Sequence, residues 1–172
     1  MKIFLLGLPG SGKTTLGREI AKLLKTPFVD LDAEIEKTEG TTIRKIFEQK
    51  KEDHFRKVES AELKKWCALS GDFVMATGGG APVYFDNINH INQSGLSIFL
   101  DVPASEIARR IVHNKRAESP HFANAHPESI KDHLEFMRSH RLPFYRQAHH
   151  TVSGTTITVA EVIDQIKKGT PQ

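Results

Sequence analysis

The sequence contains a single cysteine and no long apolar run. One cysteine, Cys67, excludes a disulfide framework. Its position after Trp66 in a helical pattern predicts a small buried hydrophobic residue without a catalytic role. The apolar run at residues 3–6 is too short for a secretory signal or a membrane span. A cytoplasmic protein with no membrane partner is therefore expected.

Clustered positive charge is also missing. The formal net charge is +3, and lysine and arginine alternate with acidic residues, as in residues 48–57. Nucleic-acid-binding proteins usually carry a basic stripe, so no nucleic-acid partner is expected. A modest positive excess suits a protein that binds several phosphates and an anionic substrate. Nothing in the sequence requires an oligomer, and a monomer is expected.

Short apolar segments alternate with helical patterns along the 172 residues, a length typical of one domain. This alternation predicts an α/β fold in which helices cover both faces of a parallel sheet. The predicted strands are residues 3–6, 28–30, 73–76, 96–102 and a last edge at 150–152 with Ile157. The predicted helices are residues 14–24, two within 33–70, 87–93, 104–111, 129–139 and 159–168.

The segment at residues 7–14 matches the phosphate-loop pattern G-x-x-x-x-G-K-[ST] without a gap. Its glycines let successive backbone N–H groups point at phosphate oxygens, and the next helix offers its positive N-terminus. Lys13 can reach the β- and γ-phosphates as a catalytic cation, and Thr14 offers a hydroxyl to Mg²⁺. The flanking strand and helix favour a nucleotide site over a chance match. The predicted ATP-binding residues here are Gly7, Gly10, Ser11, Gly12, Lys13, Thr14 and Thr15.

Two carboxylates, Asp30 and Asp32, follow the second predicted strand. Ligands of open α/β sheets bind at the carboxyl ends of the strands. One carboxylate could hold Mg²⁺ through water, and the other could accept a hydrogen bond from a substrate hydroxyl. Either of them, taken alone, could instead cap the helix that follows.

Three later motifs add candidate binding residues. Arg56 and Glu59 share one helix face, a spacing that is equally typical of a surface ion pair. The three glycines at residues 78–80 either let a ligand touch the backbone or form a turn. Arg141 opens the segment Arg-Leu-Pro-Phe-Tyr, and an arginine can bind a carboxylate bidentately.

In this order, the phosphate loop, Asp-x-Asp, Phe-Arg-x-x-Glu, Gly-Gly-Gly and Arg-x-Pro-x-Tyr resemble the shikimate kinase family across residues 2–150. That family phosphorylates the 3-hydroxyl of shikimate with ATP and Mg²⁺ in aromatic amino-acid biosynthesis. The resemblance implies one kinase domain over residues 1–172 with a P-loop NTPase fold like that of nucleoside monophosphate kinases. It also implies substrate-binding helices within residues 33–70 and a lid over 112–127.

The resemblance further implies a role for each candidate. Asp32 would bind the reacting hydroxyl and act in catalysis, and Asp30 would join Thr14 at the metal. Arg56 and Arg141 would together grip the substrate carboxylate, and Glu59 would orient the arginine. Arg110 would cover the adenine. The implied substrate-binding residues are Asp32, Arg56, Glu59, Gly78, Gly79, Gly80 and Arg141.

The lid departs from the family pattern. The family carries Arg-Pro there, whereas Ser119 precedes the proline in this chain. Arg116, three residues upstream, is the predicted catalytic and ATP-binding cation, since a lid without one would lose a contact to the transferring phosphoryl group. The chain also lacks the expected proline after Val152. The nucleotide is therefore expected to be held by Arg110 and the backbone near residues 153–156.

Two other functions stay open from the sequence. The altered lid is compatible with a kinase of another small acceptor, such as gluconate or a nucleoside monophosphate. Ser119 is compatible with a kinase-derived protein that binds its ligands without turnover. The Arg56 and Arg141 pair argues against the first alternative, and the retained Lys13 and Asp32 argue against the second.

Overall fold

The structure is a computed structural model and describes residues 1–113 and 126–169. Its strands are β1 (Lys2–Leu6), β2 (Phe28–Asp30), β3 (Phe73–Ala76), β4 (Leu96–Asp101) and β5 (His150–Ser153). Its helices are α1 (Lys13–Leu24), α2 (Leu31–Glu39), α3 (Ile43–Ala68), α4 (Asn87–Ser94), α5 (Ala104–His113), α6 (Pro127–Tyr145) and α7 (Val159–Lys168), with a 3-10 turn at Ala81–Val83.

The five strands form one parallel sheet in the order β2-β3-β1-β4-β5, as the alternating pattern predicts. The connection from β1 to β2 moves across the sheet in one direction, and the later connections between strands move in the other. Because such crossovers are right-handed, α1 lies on one face and α3, α4 and α6 lie on the other. α7 packs against α1, and α3 packs against α4. No helix in these two described ranges is both long and apolar enough to cross a membrane.

The strand order determines where a ligand can sit. β2, β3 and β1 are neighbours, so their carboxyl ends lie side by side. The phosphate loop follows β1, the aspartate pair spans the end of β2, and the glycine segment follows β3. Three motifs that are far apart in sequence therefore meet at one edge of the sheet.

Helix α6 is longer than predicted. The sequence pattern ends the helix at residue 139, but α6 continues to Tyr145 through Pro143. A proline inside a helix removes one backbone hydrogen bond. The helix resumes directly after it, since Arg146 N–H donates to Leu142 C=O at 2.9 Å. Fully buried Tyr145 packs on Phe99 with ring centroids 4.9 Å apart, and this packing offsets the lost bond.

Two smaller expectations were wrong. Cys67 is half-buried rather than buried, although it packs against the core and burial raises the pKa of its thiol. Ile157 is buried but lies beyond the end of β5, so it joins the core from the loop before α7.

Helix α3 is kinked into a short helix and a longer one, the two helices that the sequence pattern within residues 33–70 predicts. Lys51 adopts φ 67° and ψ 173°, outside helical space, and separates a short helix at residues 43–50 from a long one at 52–68. This conformation is nearly restricted to glycine and strains any residue with a Cβ atom. Arg56 lies in the longer helix after the kink, and its guanidinium approaches Gly80.

Relief of this strain should stabilise the protein. Lys51→Gly is expected to raise the free energy of unfolding by about 1 kcal/mol, measured by urea denaturation. The matched control is Lys57→Gly, an exposed helical position of α3 where glycine should cost about 1 kcal/mol. Destabilisation by both substitutions would contradict the strained kink.

Candidate active site

The phosphate loop has the backbone that the sequence predicts. Gly7, Gly10 and Gly12 adopt positive φ angles of 148°, 82° and 94°, and α1 begins at Lys13. These conformations turn the loop around the N-terminus of α1, where N–H groups and the helix dipole favour anions. Ser11 is buried here, and its hydroxyl has no hydrogen-bond partner within the described residues.

Lys13 lies inside this loop. Its Nζ donates to the carbonyl oxygens of Gly7 at 2.9 Å and Leu8 at 2.8 Å. Burial lowers the pKa of Lys13 to about 8, an effect that the Asp32 carboxylate partly opposes and that nearby Arg141 reinforces. A lysine held this way carries its charge at neutral pH and sits where a phosphate chain would pass.

Asp30 caps a helix and also contacts the phosphate loop. Oδ1 caps α2 by accepting from the backbone N–H groups of Asp32 at 3.1 Å and Ala33 at 3.4 Å. Oδ2 accepts from the Thr14 hydroxyl at 3.1 Å. The helix cap therefore fixes a carboxylate beside the last residue of the phosphate-loop motif.

The oxygen pair of Thr14 and Asp30 fits Mg²⁺, which prefers oxygen ligands and keeps several waters and phosphates in its shell. No group of three or more His, Cys, Asp or Glu side chains that could hold a metal occurs in the described parts of the chain. A metal here would depend on the bound phosphates for much of its coordination, as is usual for nucleotide-associated Mg²⁺.

Asp32 occupies the first turn of α2 and faces the glycine segment. Burial raises the pKa of its carboxyl to about 6, the Asp30 carboxylate adds to the rise, and Lys13 and Arg56 oppose it. The group is therefore ionised at neutral pH but close enough to its pKa to exchange a proton. Such a value suits a general base.

Arg56 and Glu59 form a buried ion pair, not the surface pair that their spacing alone suggests. Arg56 Nη1 donates to Glu59 Oε1 at 2.7 Å, with the side chains 9% and 1% exposed. Burial raises the pKa of Glu59 although the pair opposes the rise. Burial would lower the pKa of Arg56, but contact with Glu59 outweighs this and the pKa is raised. The pair keeps an arginine oriented inside the protein.

The glycine segment is where these side chains converge. A Cβ atom at Gly78 would lie 2.7 Å from Glu59 Oε2 and 3.0 Å from Asp32 Oδ1. At Gly80 it would lie 2.5 Å from Arg56 Nη1. Side chains at these positions would displace these three charged groups, so glycine is what permits their close approach to the backbone.

Gly79 joins the remaining parts of the site. A Cβ atom there would lie 2.9 Å from Arg141 Nη1 and 2.8 Å from Cδ of Pro9 in the phosphate loop. The Tyr145 hydroxyl donates to the Gly79 carbonyl oxygen at 2.5 Å and is hydrogen-bonded with Arg141. Burial raises the pKa of Tyr145 to about 12, so it stays a neutral donor. This role of Tyr145 was not predicted, although the residue closes one of the recognised motifs.

A separate cleft of about 630 Å³ lies on the outer side of the phosphate loop. Arg110 lines it and donates to Glu106 Oε1 at 3.0 Å and, through Nη2, to the Thr155 carbonyl oxygen. Residues 156–160 line it from the other side, together with Ser11 and Thr15. The predicted adenine-side residues are thus brought together. A larger cleft of about 740 Å³ lies between α5 and α6. Ser153 and Gly154 of the predicted adenine-side segment line it, but none of its other lining residues was predicted as a site residue.

One predicted residue lies outside the described part of the chain. Arg116, with residues 114–125 of the predicted lid, falls in the range that the structure does not describe. Its assignment as the lid cation stays a prediction.

Two residues near Arg56 were missed by the sequence reasoning. Glu52 Oε1 accepts from Arg56 Nε at 3.2 Å, and the Tyr84 hydroxyl donates to the same oxygen at 3.3 Å. The i,i+4 spacing of Glu52 and Arg56 was an available signal. Tyr84 gave none, because its contact with Arg56 depends on the tertiary fold.

A parallel sheet with a phosphate loop after its central strand, and a polar acceptor site beside that loop, define a P-loop kinase fold. The family model described as shikimate kinase matches residues 9–170. The chain belongs to the shikimate kinase family.

Relatives and solved structures agree with this assignment. The chain is 39% identical to a shikimate kinase of Clostridium botulinum over 153 residues, which are 89% of this chain and 87% of that protein. It is 38% identical to a shikimate kinase of Phocaeicola vulgatus, and the match covers 87% of this chain and 84% of that protein. A shikimate kinase structure from Bacteroides thetaiotaomicron has a TM-score of 0.89 at 30% identity, covering 98% and 97%. A shikimate kinase structure from Acinetobacter baumannii, in complex with shikimate, has a TM-score of 0.82 at 34% identity. The match covers 97% of this chain and 90% of that chain.

Proposed function

We propose that this protein transfers the γ-phosphoryl group of ATP to the 3-hydroxyl of shikimate, with Mg²⁺ bound at Thr14 and Asp30. One observation carries the proposal: Asp32, Arg56 and Arg141 converge on the glycine segment, which touches Pro9 of the phosphate loop. A carboxylate-binding arginine pair, a candidate base and a phosphate site are therefore in contact range of one small acceptor.

The acceptor would be bound from several sides. Arg56 and Arg141 are cations that suit its carboxylate, and the backbone of residues 78–80 supports its ring. Asp32 then receives the 3-hydroxyl. In this proposal the helices within residues 33–70 supply Arg56 and Glu59 for substrate binding, within one kinase domain. The proposed enzyme is a cytoplasmic monomer, in which a single chain supplies the phosphate, acceptor and base residues.

The chemistry follows from these positions. The hydroxyl oxygen forms a bond to the γ-phosphorus, the bond to the β,γ-bridging oxygen breaks, and ADP leaves. Asp32 takes the hydroxyl proton, and Lys13 with the N-terminus of α1 stabilises charge on the phosphates. Bound Mg²⁺ would neutralise further phosphate charge. Arg110 and the backbone near residues 153–156 would hold the adenine.

The direct test is coupled ADP release with Mg-ATP and a panel of acceptors: shikimate, gluconate and nucleoside monophosphates. Turnover with shikimate alone is expected. Turnover with another acceptor instead would assign the site to a different kinase. ATP binding without turnover on any acceptor would indicate a non-catalytic binding protein.

The pH profile of kcat/KM for ATP should be bell-shaped. Asp32 must be ionised, so the rate should fall as the pH drops below about 6. Lys13 must be protonated, so the rate should fall as the pH rises above about 8. The kcat profile at saturating ATP serves as the internal control. Its alkaline limb should move to higher pH, because phosphates next to Lys13 favour the charged amine. An unmoved alkaline limb would exclude Lys13 as its source.

A further inference from the structure

Arg56 is held by more than its buried partner Glu59. Glu52 Oε1 accepts from Arg56 Nε at 3.2 Å and also from the Tyr84 hydroxyl at 3.3 Å. Arg56 Cζ lies 4.5 Å from the centroid of the Tyr84 ring, a cation–π distance. Tyr84 thus acts on the guanidinium twice, through its ring and through Glu52.

These contacts determine which edge of Arg56 is open to a ligand. Glu59 takes Nη1, and Glu52 takes Nε. Within the described residues, Nη2 has no acceptor in the protein. Nη1 keeps a second N–H group and Nη2 keeps both of its own, so Arg56 can still bind a ligand carboxylate through these two nitrogens.

The two carboxylates differ in how firmly they can hold Arg56. Glu59 is 1% exposed, whereas Glu52 is 54% exposed. An exposed ion pair is weak and imposes little order on its partners. The Tyr84 hydroxyl gives Glu52 a second hydrogen bond, and the Tyr84 ring lies over the guanidinium. Both restrict a side chain that otherwise has many rotamers.

We propose that Tyr84 is a positioning residue that sets the affinity for the acceptor carboxylate by holding Arg56, directly with its ring and through Glu52 with its hydroxyl. The inference rests on the proposed function. Binding is stronger when the binding group is ordered in advance, because less conformational freedom is lost. Tyr84 is not placed near the reacting atoms, so its effect should appear in substrate binding and not in the chemical step.

Steady-state kinetics of Tyr84→Leu and Tyr84→Phe test the two contacts. Tyr84→Leu is expected to raise the KM for shikimate about ten-fold, since it removes the cation–π contact and the hydroxyl. Tyr84→Phe keeps the ring and should raise it about three-fold. The kcat and the KM for ATP should stay within about two-fold of wild type. Phe85→Leu, an exposed aromatic neighbour, is the matched control and should change none of these.

A double-mutant cycle tests the route through Glu52. If the Tyr84 hydroxyl acts through the Glu52 carboxylate, Tyr84→Phe should not change the shikimate KM further in a protein that already carries Glu52→Ala. A full Phe effect in that background would overturn the route.

The remaining outcomes distinguish a failure of the proposed role of Tyr84 from a failure of the proposed function. An unchanged shikimate KM in Tyr84→Leu, with the fold intact by thermal denaturation, would overturn the role of Tyr84. Parallel losses in kcat and in both KM values would point to general structural damage and would equally overturn it. Tyr84→Phe, which conserves the ring, keeps the test open if Tyr84→Leu fails to fold. Absence of shikimate turnover in wild type would instead refute the proposed function.

Discussion

Asp32→Asn is expected to lower kcat about a thousand-fold while the KM for ATP stays within about two-fold of wild type. The substitution keeps the shape of the side chain but removes its ability to accept the hydroxyl proton. Asp32 lies close to Gly78. Among the described residues, the other carboxylate in contact range of Gly78 is Glu59, which is engaged with Arg56. Steady-state kinetics with shikimate and ATP varied separately provide the measurement.

The same variant should be more stable than wild type, and this separates lost chemistry from lost folding. Burial raises the pKa of Asp32 from 3.8 to about 6, so the folded protein binds this proton more tightly than the unfolded chain does. Ionisation of Asp32 then weakens the fold as the pH rises from about 4 to about 6. Asparagine avoids that cost, and the free energy of unfolding at pH 7.5 should rise by about 2 kcal/mol.

Glu34→Gln is the matched control for Asp32→Asn. Glu34 lies on the same helix, and its carboxylate forms a surface pair with Lys37 at 3.6 Å. Loss of this charge should leave kcat and stability nearly unchanged. A similar fall in kcat for both variants would show that helix charge, and not the Asp32 carboxylate, limits the rate.

Arg56→Met is expected to abolish useful acceptor binding and to destabilise the protein. The kcat/KM for shikimate should fall at least a hundred-fold, because a charge pair with the substrate carboxylate is lost. Glu59 would be left buried without its partner, which should cost about 3 kcal/mol at pH 8. Urea denaturation and steady-state kinetics measure the two effects independently.

Two comparisons make the Arg56 prediction specific. Burial already raises the pKa of Glu59, and without Arg56 this pKa should rise further. Protonation of Glu59 should then remove the cost of an unpaired buried charge. The stability loss should therefore be smaller at pH 6 than at pH 8. Arg56→Met/Glu59→Leu replaces the pair by apolar side chains and should recover most of the stability without recovering activity. A double variant as unstable as the single one would contradict the unpaired-charge explanation.

Much of the fold follows from local pattern. The strands are short, continuous apolar runs because the sheet is covered on both faces, and the sequence places β3 at its observed limits. The errors occur where tertiary packing overrides local preference. α6 passes through Pro143 because Tyr145 is anchored in the core.

The site was predictable where strand ends determine it. Lys13, Asp30 and Asp32 follow from the rule that ligands bind at the carboxyl ends of parallel strands. Arg56 and Arg141 are far apart in sequence, and no spacing rule brings them together, so only the family resemblance united them. Tyr84 could not be found in this way, because its ring meets Arg56 only after the glycine segment and α3 have packed.

The distribution of the site along the chain has a consequence for how a ligand and the fold support each other. Asp32, Arg56, Gly79 and Arg141 belong to four elements that are separated in sequence and meet at one point. A molecule bound there acts as a non-covalent cross-link between distant parts of the polypeptide. Its binding free energy is added to the free energy of unfolding, since no partly unfolded form keeps all four contacts. Occupancy by substrate should therefore protect the whole domain, including segments that never touch the ligand.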